Sequence, residues 1–250
     1  MRSDIRNLAL IGNKSTSYVG IGTGTHAANK VSDQTKMGQD AFISLMRYAT
    51  DKGIRFIDTA DSYGTHHMLG IALKDLARDD LCIQTKTMAT TATGVRSDAH
   101  RFCSELQINY IDHLLLHCVE TSDWPDRLRD AADELKRLKE EGLVRQIGIS
   151  IHGIEALNSA RECDWPDICL VRINHDGAKM DAAPNVVVDV LREMRQRGRT
   201  LIGMKVFGAG RYNQAACHES LRWVRNLGLC SAVVLGLTTP DQIDEAFAAT

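Results

Sequence analysis

Residues 55–73 read RFIDTADSYGTHHMLGIAL. Phe56 and Ile57 form a short apolar run that stops at Asp58. A polar turn with Tyr63 and Gly64 follows. Apolar residues then return at helical spacing, at Met68, Leu69, Ala72, Leu73 and, just beyond, Leu76. The pattern predicts strand, loop, helix, with a carboxylate on the last residue of the strand and a phenol just after it. Strand ends followed by such loops are where α/β barrels display reactive side chains.

The same unit recurs outward in both directions. Towards the N-terminus, 8–22 predicts a hairpin turning at Gly12-Asn13 and running into a first barrel strand near 18–22, and 38–52 predicts a helix stopped by Gly53. Towards the C-terminus, strands are expected at 81–85, 113–116, 144–150, 168–173, 201–206 and 232–235. Helices are expected between them at 67–77, 98–106, 154–161, 186–197 and 220–226. Another, long helix is expected to be capped by Asp123, to carry Pro125 in its first turn and to end at Gly142. A short last helix should be capped by Thr239. Strands such as CLVRI and AVVL are continuous apolar runs, as expected when both faces are buried. Eight alternations within 250 residues predict one domain over 1–250, a (β/α)8 TIM barrel with an N-terminal β-hairpin.

Composition excludes several classes. The formal charge is −2, which gives no general attraction to nucleic acid or anionic membranes. No apolar run approaches the roughly 20 residues that span a bilayer, and residues 1–14 lack an apolar signal core. A cytoplasmic chain is the expectation. Seven cysteines, none in a CxxC pair, are expected to be reduced and packed.

Asp58, Lys86 and His117 are each placed at the carboxyl end of a successive strand, with Tyr63 just after the first. Parallel neighbours would bring all four to one mouth. A free tyrosine, with a pKa near 10, is a poor proton donor at neutral pH. A nearby ammonium favours the phenolate and lowers that pKa. In this arrangement Asp58 holds Lys86 charged, Lys86 tunes Tyr63, and His117 orients a substrate carbonyl, which Tyr63 protonates.

GIRFIDTADSYG at 53–64, TKT around Lys86, YIDHLLLH ending at His117 and EEGLVRQIGIS at 140–150 together resemble the aldo-keto reductase family. Asp58, Tyr63, Lys86 and His117 fall on that family's catalytic tetrad. The resemblance implies a (β/α)8 barrel, a nicotinamide cofactor lying extended across its top, and reversible reduction of an aldehyde or ketone. GISIHG at 148–153 and GMKVFGAG at 203–210 are similar to a branch with SxHG and MKP-like motifs. Some members of that branch carry an iron–sulfur module, and the cysteine spacing here predicts none.

The resemblance further implies a cofactor site at Gly22, Thr23, Ser150, His152, Met204 and Lys205, at the turn Phe207, Gly208, Gly210 and Arg211, and at Gly236, Thr238, Thr239 and Gln242. Met204 replaces a stacking tyrosine. Ile151 replaces an asparagine, for which His152 can substitute. The turn offers amides and a guanidinium to a pyrophosphate. The last strand and the helix start after it make a phosphate site. NADP(H) is expected ahead of NAD(H), although relatives selective for NADP place Lys or Arg where this chain has Leu237, Pro240 and Gln242.

Other readings are weaker. Residues 22–27, GTGTHA, match a Rossmann fingerprint, but the polar stretch that follows does not form the helix the fingerprint needs. His66, His67, His113, His152 and His175 lack metal-site spacing and are expected to be polar loop residues, with no metal. A redox-sensing subunit that holds cofactor with little turnover, or a Schiff-base lyase using Lys86, would share much of the pattern. The partner expected is a small carbonyl compound. Neither its identity nor the oligomeric state is legible.

Overall fold

The computed structural model describes residues 8–11 and 14–249, so the turn expected at Gly12-Asn13 lies outside the described residues. Two short strands, β1 (Leu8–Ile11) and β2 (Lys14–Ser17), pair antiparallel as the expected hairpin. β3 (Val19–Gly22) then starts a parallel sheet. It is followed by α1 (Asp33–Lys36), α2 (Gln39–Asp51), β4 (Phe56–Asp58), α3 (His66–Leu73), β5 (Cys82–Thr87), α4 (Ala92–Leu106) and β6 (Ile111–Val119). Next come α5 (Trp124–Arg127), α6 (Arg129–Glu140), β7 (Val144–Ile151), α7 (Ile154–Glu162), β8 (Ile168–Arg172) and α8 (Pro184–Gln196). The chain continues with β9 (Thr200–Met204), α9 (Gln214–Leu227), β10 (Ala232–Gly236) and α10 (Pro240–Ala248). The strands close in the order β10-β3-β4-β5-β6-β7-β8-β9, a (β/α)8 TIM barrel.

Alternation along each strand sorts side chains into two cores. Outward residues such as Ile21, Ile57, Ile83, Leu114 and Leu116 pack under the helices. Inward residues Phe56, Cys82, Leu115, Ile168, Leu170, Ile202, Met204, Ala232 and Val234 fill the barrel. Ile11 of the hairpin joins that inner cluster, fully buried. Lys14 beside it bonds Asp112 at 2.8 Å.

Local chemistry moved several boundaries. α4 begins at Ala92 rather than 98 because the Thr91 hydroxyl accepts from Gly94 N at 3.2 Å. α9 begins at Gln214 rather than 220 because Asn213 Oδ1 accepts from Ala216 N at 3.0 Å. The helix expected after Asp123 is broken at Leu128, whose φ and ψ are −106° and 18°, and Asp123 makes no side-chain cap there. Its carboxylate accepts instead from Thr121 Oγ1 at 2.5 Å. α3 stops at Leu73, short of 77, and β6 runs on to Val119, past His117. Among the described residues no helix is long and apolar enough to cross a membrane.

Candidate active site

Asp58 ends β4, Lys86 is the penultimate residue of β5, and His117 lies near the end of β6. All three occupy inward positions of neighbouring strands. The register of β6 against β7 shifts between Leu116 and Val119, and Cys118 there has φ 56°. This bulge re-aims the end of the strand at the mouth. Tyr63 closes a 3₁₀ turn at Asp61–Tyr63. Gly64 follows with φ 74°, and a Cβ on it would lie 2.0 Å from the Lys30 carbonyl oxygen. Only glycine fits there. Gly24 is equally constrained, because a Cβ on it would stand 2.4 Å from the Tyr63 ring. Gly24 therefore lets the backbone pass close over the Tyr63 ring, and with no helix opening at 22–27 the stretch is not a dinucleotide fingerprint.

Lys86 is completely buried. Its Nζ donates to Asp58 Oδ1 at 2.7 Å, to the Thr59 carbonyl at 2.8 Å and to Tyr63 Oη at 3.3 Å. Burial alone would push the ammonium's pKa down, but Asp58 and Tyr63 outweigh it and hold the pKa above its ordinary value. A charged amine with three acceptors behind the phenol is not presented for imine formation, which argues against Lys86 as a Schiff-base nucleophile. The ring of His117 meets that of Tyr63 edge-on, with centroids 5.8 Å apart. Burial, with Lys86, His152 and Lys205 nearby, pushes His117 down to about 2, so its ring is neutral. Its Nδ1 is buried without a partner.

These residues open into a cavity of about 690 Å³, within the range of small-molecule and cofactor sites. Gly22, Asp58, Tyr63, His117, His152, Met204, Lys205, Phe207, Gly210, Gly236, Thr238 and Gln242 line it. Thr23, Lys86, Ser150, Gly208, Arg211 and Thr239 are not among its lining residues. Thr23 turns away, its hydroxyl 2.7 Å from that of Thr65. Ser150 is fully buried, with Oγ 3.2 Å from His152 Nε2. Thr239 caps α10, and Arg211 is exposed.

Three features escaped the sequence reading. Arg172, an apparent member of an apolar strand, donates through Nη2 to His152 Nδ1 at 2.6 Å and through Nη1 to Asp181 at 2.9 Å. Thr25, His26 and Ala27 line the cavity opposite Ala209 and Gly210. Glu245 lines it at the α10 end and bonds Gln214 at 2.5 Å. The strand spacing of Arg172 and the helical spacing of Glu245 from Gln242 are the only signals that could have found them.

His66 and His113 are not loop histidines. His66 is buried on α3, and its ring nitrogens stand 2.8 Å from Glu105 and 2.9 Å from Thr85. His113 is inside the barrel on β6, because the alternation of that strand turns it inward. His117, Cys118 and His152 do lie close, with one ligand atom each within 4.8 Å of the others. Their protonation opposes a cation. An arginine can only donate, so Nδ1 of His152 accepts and its neutral ring keeps the hydrogen on Nε2. Burial and Arg172 hold that ring neutral, down to about 3. Burial, Arg172 and Lys86 also pull the Lys205 ammonium below its ordinary value. Around His117 and His152 the site thus presents the Lys205 ammonium and neutral imidazoles, groups suited to an oxygen-bearing ligand.

The Aldo/keto reductase family profile matches residues 19–219, and the chain belongs to that family. It is similar to the methylglyoxal reductase DkgA of Salmonella typhimurium, at 27% identity over 85% of this chain and 80% of that protein. It is also similar to the D-arabinose 1-dehydrogenase of Saccharomyces cerevisiae, at 37% identity over 44% of this chain and 36% of that protein. The match thus spans about a third of the yeast dehydrogenase and of a probable aldo-keto reductase 1 of Glycine max, 36% and 34% of their lengths, against 80% of DkgA. Solved structures share the fold. An aldo/keto reductase from Klebsiella pneumoniae crystallised with NADP and acetate has a TM-score of 0.74 at 19% identity, covering 97% of this chain and 89% of its own. An aldo-keto reductase from Bacillus halodurans has a TM-score of 0.78 at 18% identity, covering 97% and 90%.

Proposed function

We propose that this chain is a nicotinamide-dependent oxidoreductase that reduces a small aldehyde or ketone to an alcohol, with Tyr63 as the proton donor. The observation that carries the reading is the Lys86 ammonium, bonded at once to Asp58 and to the Tyr63 hydroxyl at the cavity floor. Relatives named for methylglyoxal reduction and D-arabinose oxidation support a small, polar carbonyl compound as substrate.

The cavity suits an extended dinucleotide. It runs from Tyr63 and His117, past Met204, Lys205 and the backbone turn at Phe207 and Gly210, to Gly236, Thr238 and Gln242. When bound, the nicotinamide supplies the hydride. Met204 would pack against its ring, with His152 and the buried Ser150 beside its carboxamide. The Phe207–Gly210 turn would cradle the pyrophosphate, and the start of α10 the adenosine end. Of the two forms, NADP(H) is supported by the Klebsiella relative, yet Glu245 is the ionisable side chain lining the α10 end, and that weakens selectivity for a phosphate.

The chain's own residues would then do the following. His117, neutral and lining the cavity, orients the carbonyl oxygen towards Tyr63 through a ring N–H. Tyr63 donates its proton to that oxygen as negative charge develops there. Lys86 stabilises the phenolate left behind, and Asp58 stabilises Lys86. Burial raises the pKa of Tyr63 and outweighs the lowering by Lys86 that the sequence led us to expect, so the phenol stands above its ordinary 10.0. The sign follows: the protonated phenol is the donor, so reduction persists below this pKa and is lost as pH rises through it. His117 stays neutral at all working pH values and contributes no acid limb. The kcat for reduction should be flat from weakly acid conditions through neutrality and fall only once the pH has passed the ordinary phenol value of 10.0.

Tyr63→Phe tests the reading. It should lower kcat for carbonyl reduction by about 10³-fold, while NADPH affinity, followed by cofactor fluorescence, changes little. Retained turnover in that variant would sink the assignment.

A further inference from the structure

Barrel interiors of this kind are filled mainly by branched apolar side chains. Below Asp58 and Lys86 this one is not. Cys82 and Gln84 on β5 and His113 on β6 all point inward, and all are essentially fully buried. Asp58 is the register partner of Gln84, and Gln84 of His113. The three side chains therefore share a row across neighbouring strands.

They form one directed chain of hydrogen bonds. Gln84 Nε2 donates to Asp58 Oδ1 at 2.7 Å, which fixes the orientation of the amide. Its Oε1 can then only accept, so His113 Nδ1, 3.2 Å away, is the donor. Burial pushes His113 down to about 4, so the ring is neutral and Nε2 keeps a lone pair. The Cys82 sulfur lies beside the ring, 3.3 Å from Nε2 and 3.8 Å from Nδ1, and closes the lower end of the column. Every donor in the column points towards Asp58. The oxygen at its end, Asp58 Oδ1, is the one that also takes Lys86 at 2.7 Å.

Buried polar groups cost stability unless they are paired, and apolar residues of similar volume are commonly as stable or more so. A one-directional pair of buried hydrogen bonds, His113 to Gln84 to Asp58, ending on a proposed catalytic carboxylate calls for a reason beyond packing. We propose that Gln84 and His113 are positioning residues for the reaction, fixing the Asp58 carboxylate through the Gln84 amide and thereby setting how strongly Asp58 acts on Lys86 and Tyr63. The inference rests on the reductase reading above. The groups that face the Lys86–Tyr63 pair are Asp58, His117, Cys118, His152 and Lys205, with Arg172 behind them. Of these, Asp58 is the one that Gln84 touches.

The double variant Gln84→Met, His113→Leu replaces the column by apolar side chains of similar volume. It should fold, with a Tm modestly below that of the parent, because Asp58 keeps Lys86 but loses one donor. Without the amide donor, the charge of Asp58 is less compensated and bears more heavily on the phenol. The alkaline limb of kcat should move to higher pH, and kcat should fall about tenfold, the scale of one lost charge-assisted hydrogen bond. Substrate KM and NADPH affinity should stay within about twofold. An unmoved limb with unchanged kcat in a folded protein overturns the proposal. So does a loss of kcat matched by equal loss of cofactor affinity, which marks general disruption. His113→Leu alone guards against misfolding of the double variant. It keeps Gln84 but frees its carbonyl, and an intermediate shift is expected, with no shift overturning the idea. Tyr63→Phe separates the two readings: turnover surviving in that variant removes the reductase assignment itself, whereas the column is judged only against the parent's own alkaline limb.

Discussion

The barrel interior has two unlike halves. On β4, β5 and β6 the inward positions carry, besides Phe56, Cys82 and Leu115, the polar residues Asp58, Gln84, Lys86, His113 and His117, joined in one hydrogen-bonded set apart from His117. On β8, β9 and β10 the corresponding positions carry Ile168, Leu170, Ile202, Met204, Ala232 and Val234. Both halves obey the same alternation and are equally buried. They differ in what burial does to them. In the apolar half it is the stabilising force. In the polar half it is the opposing force, which raises Tyr63, depresses His117 and leaves the Lys86 charge dependent on Asp58. One half holds the barrel together, and the other is held in place by it.

Substitutions can break that division. Lys86→Met removes the cation from the polar half and should cost about 10³-fold in kcat, together with about 3 kcal/mol of stability, because a buried carboxylate loses its partner. Steady-state kinetics and thermal unfolding read the two effects. A Lys86→Met enzyme of near-normal kcat would show that the halves do not differ in role. Ile202→Ala in the apolar half should cost about 2–4 kcal/mol of stability through the cavity it leaves. Its kcat at a temperature where it stays folded should fall by less than about threefold. A larger kinetic loss would mean that the apolar half also sets the chemistry. The smallest effect is expected where the cavity leaves both halves. Glu245→Lys should improve NADPH affinity relative to NADH by several-fold, on the order of 1 kcal/mol for one exposed charge pair, measured by fluorescence titration. Unchanged discrimination would place the adenosine end of the cofactor elsewhere.

The sequence made the polar mouth legible but not the column under it, and the reason is positional. Asp58 and Lys86 interrupt apolar runs at or near strand ends, where a charged residue stands out against what precedes it. Gln84 and His113 sit inside strands, and nothing in CIQTKT or IDHLLLH says which alternate residues face the axis until the register with a neighbour is known. His113 therefore passed as a polar loop residue. Arg172 was hidden the same way, at the end of an apolar run. Helix starts were missed at Ala92 and Gln214 because their caps, Thr91 and Asn213, precede turns with little apolar periodicity. Leu128 breaks a helix that the spacing of apolar residues alone would continue. The eightfold alternation survived all of these errors, since it depends on many buried positions and on none in particular.

The hairpin before β3 lends the column a further property. Ile11 is seated among the innermost side chains, at the end of the barrel away from Tyr63. Ile11 and Gln84 are both fully buried, so the polar column rests on an apolar plug supplied by a segment that precedes the barrel. The hairpin thereby ties the foundation of the polar half to the start of the chain.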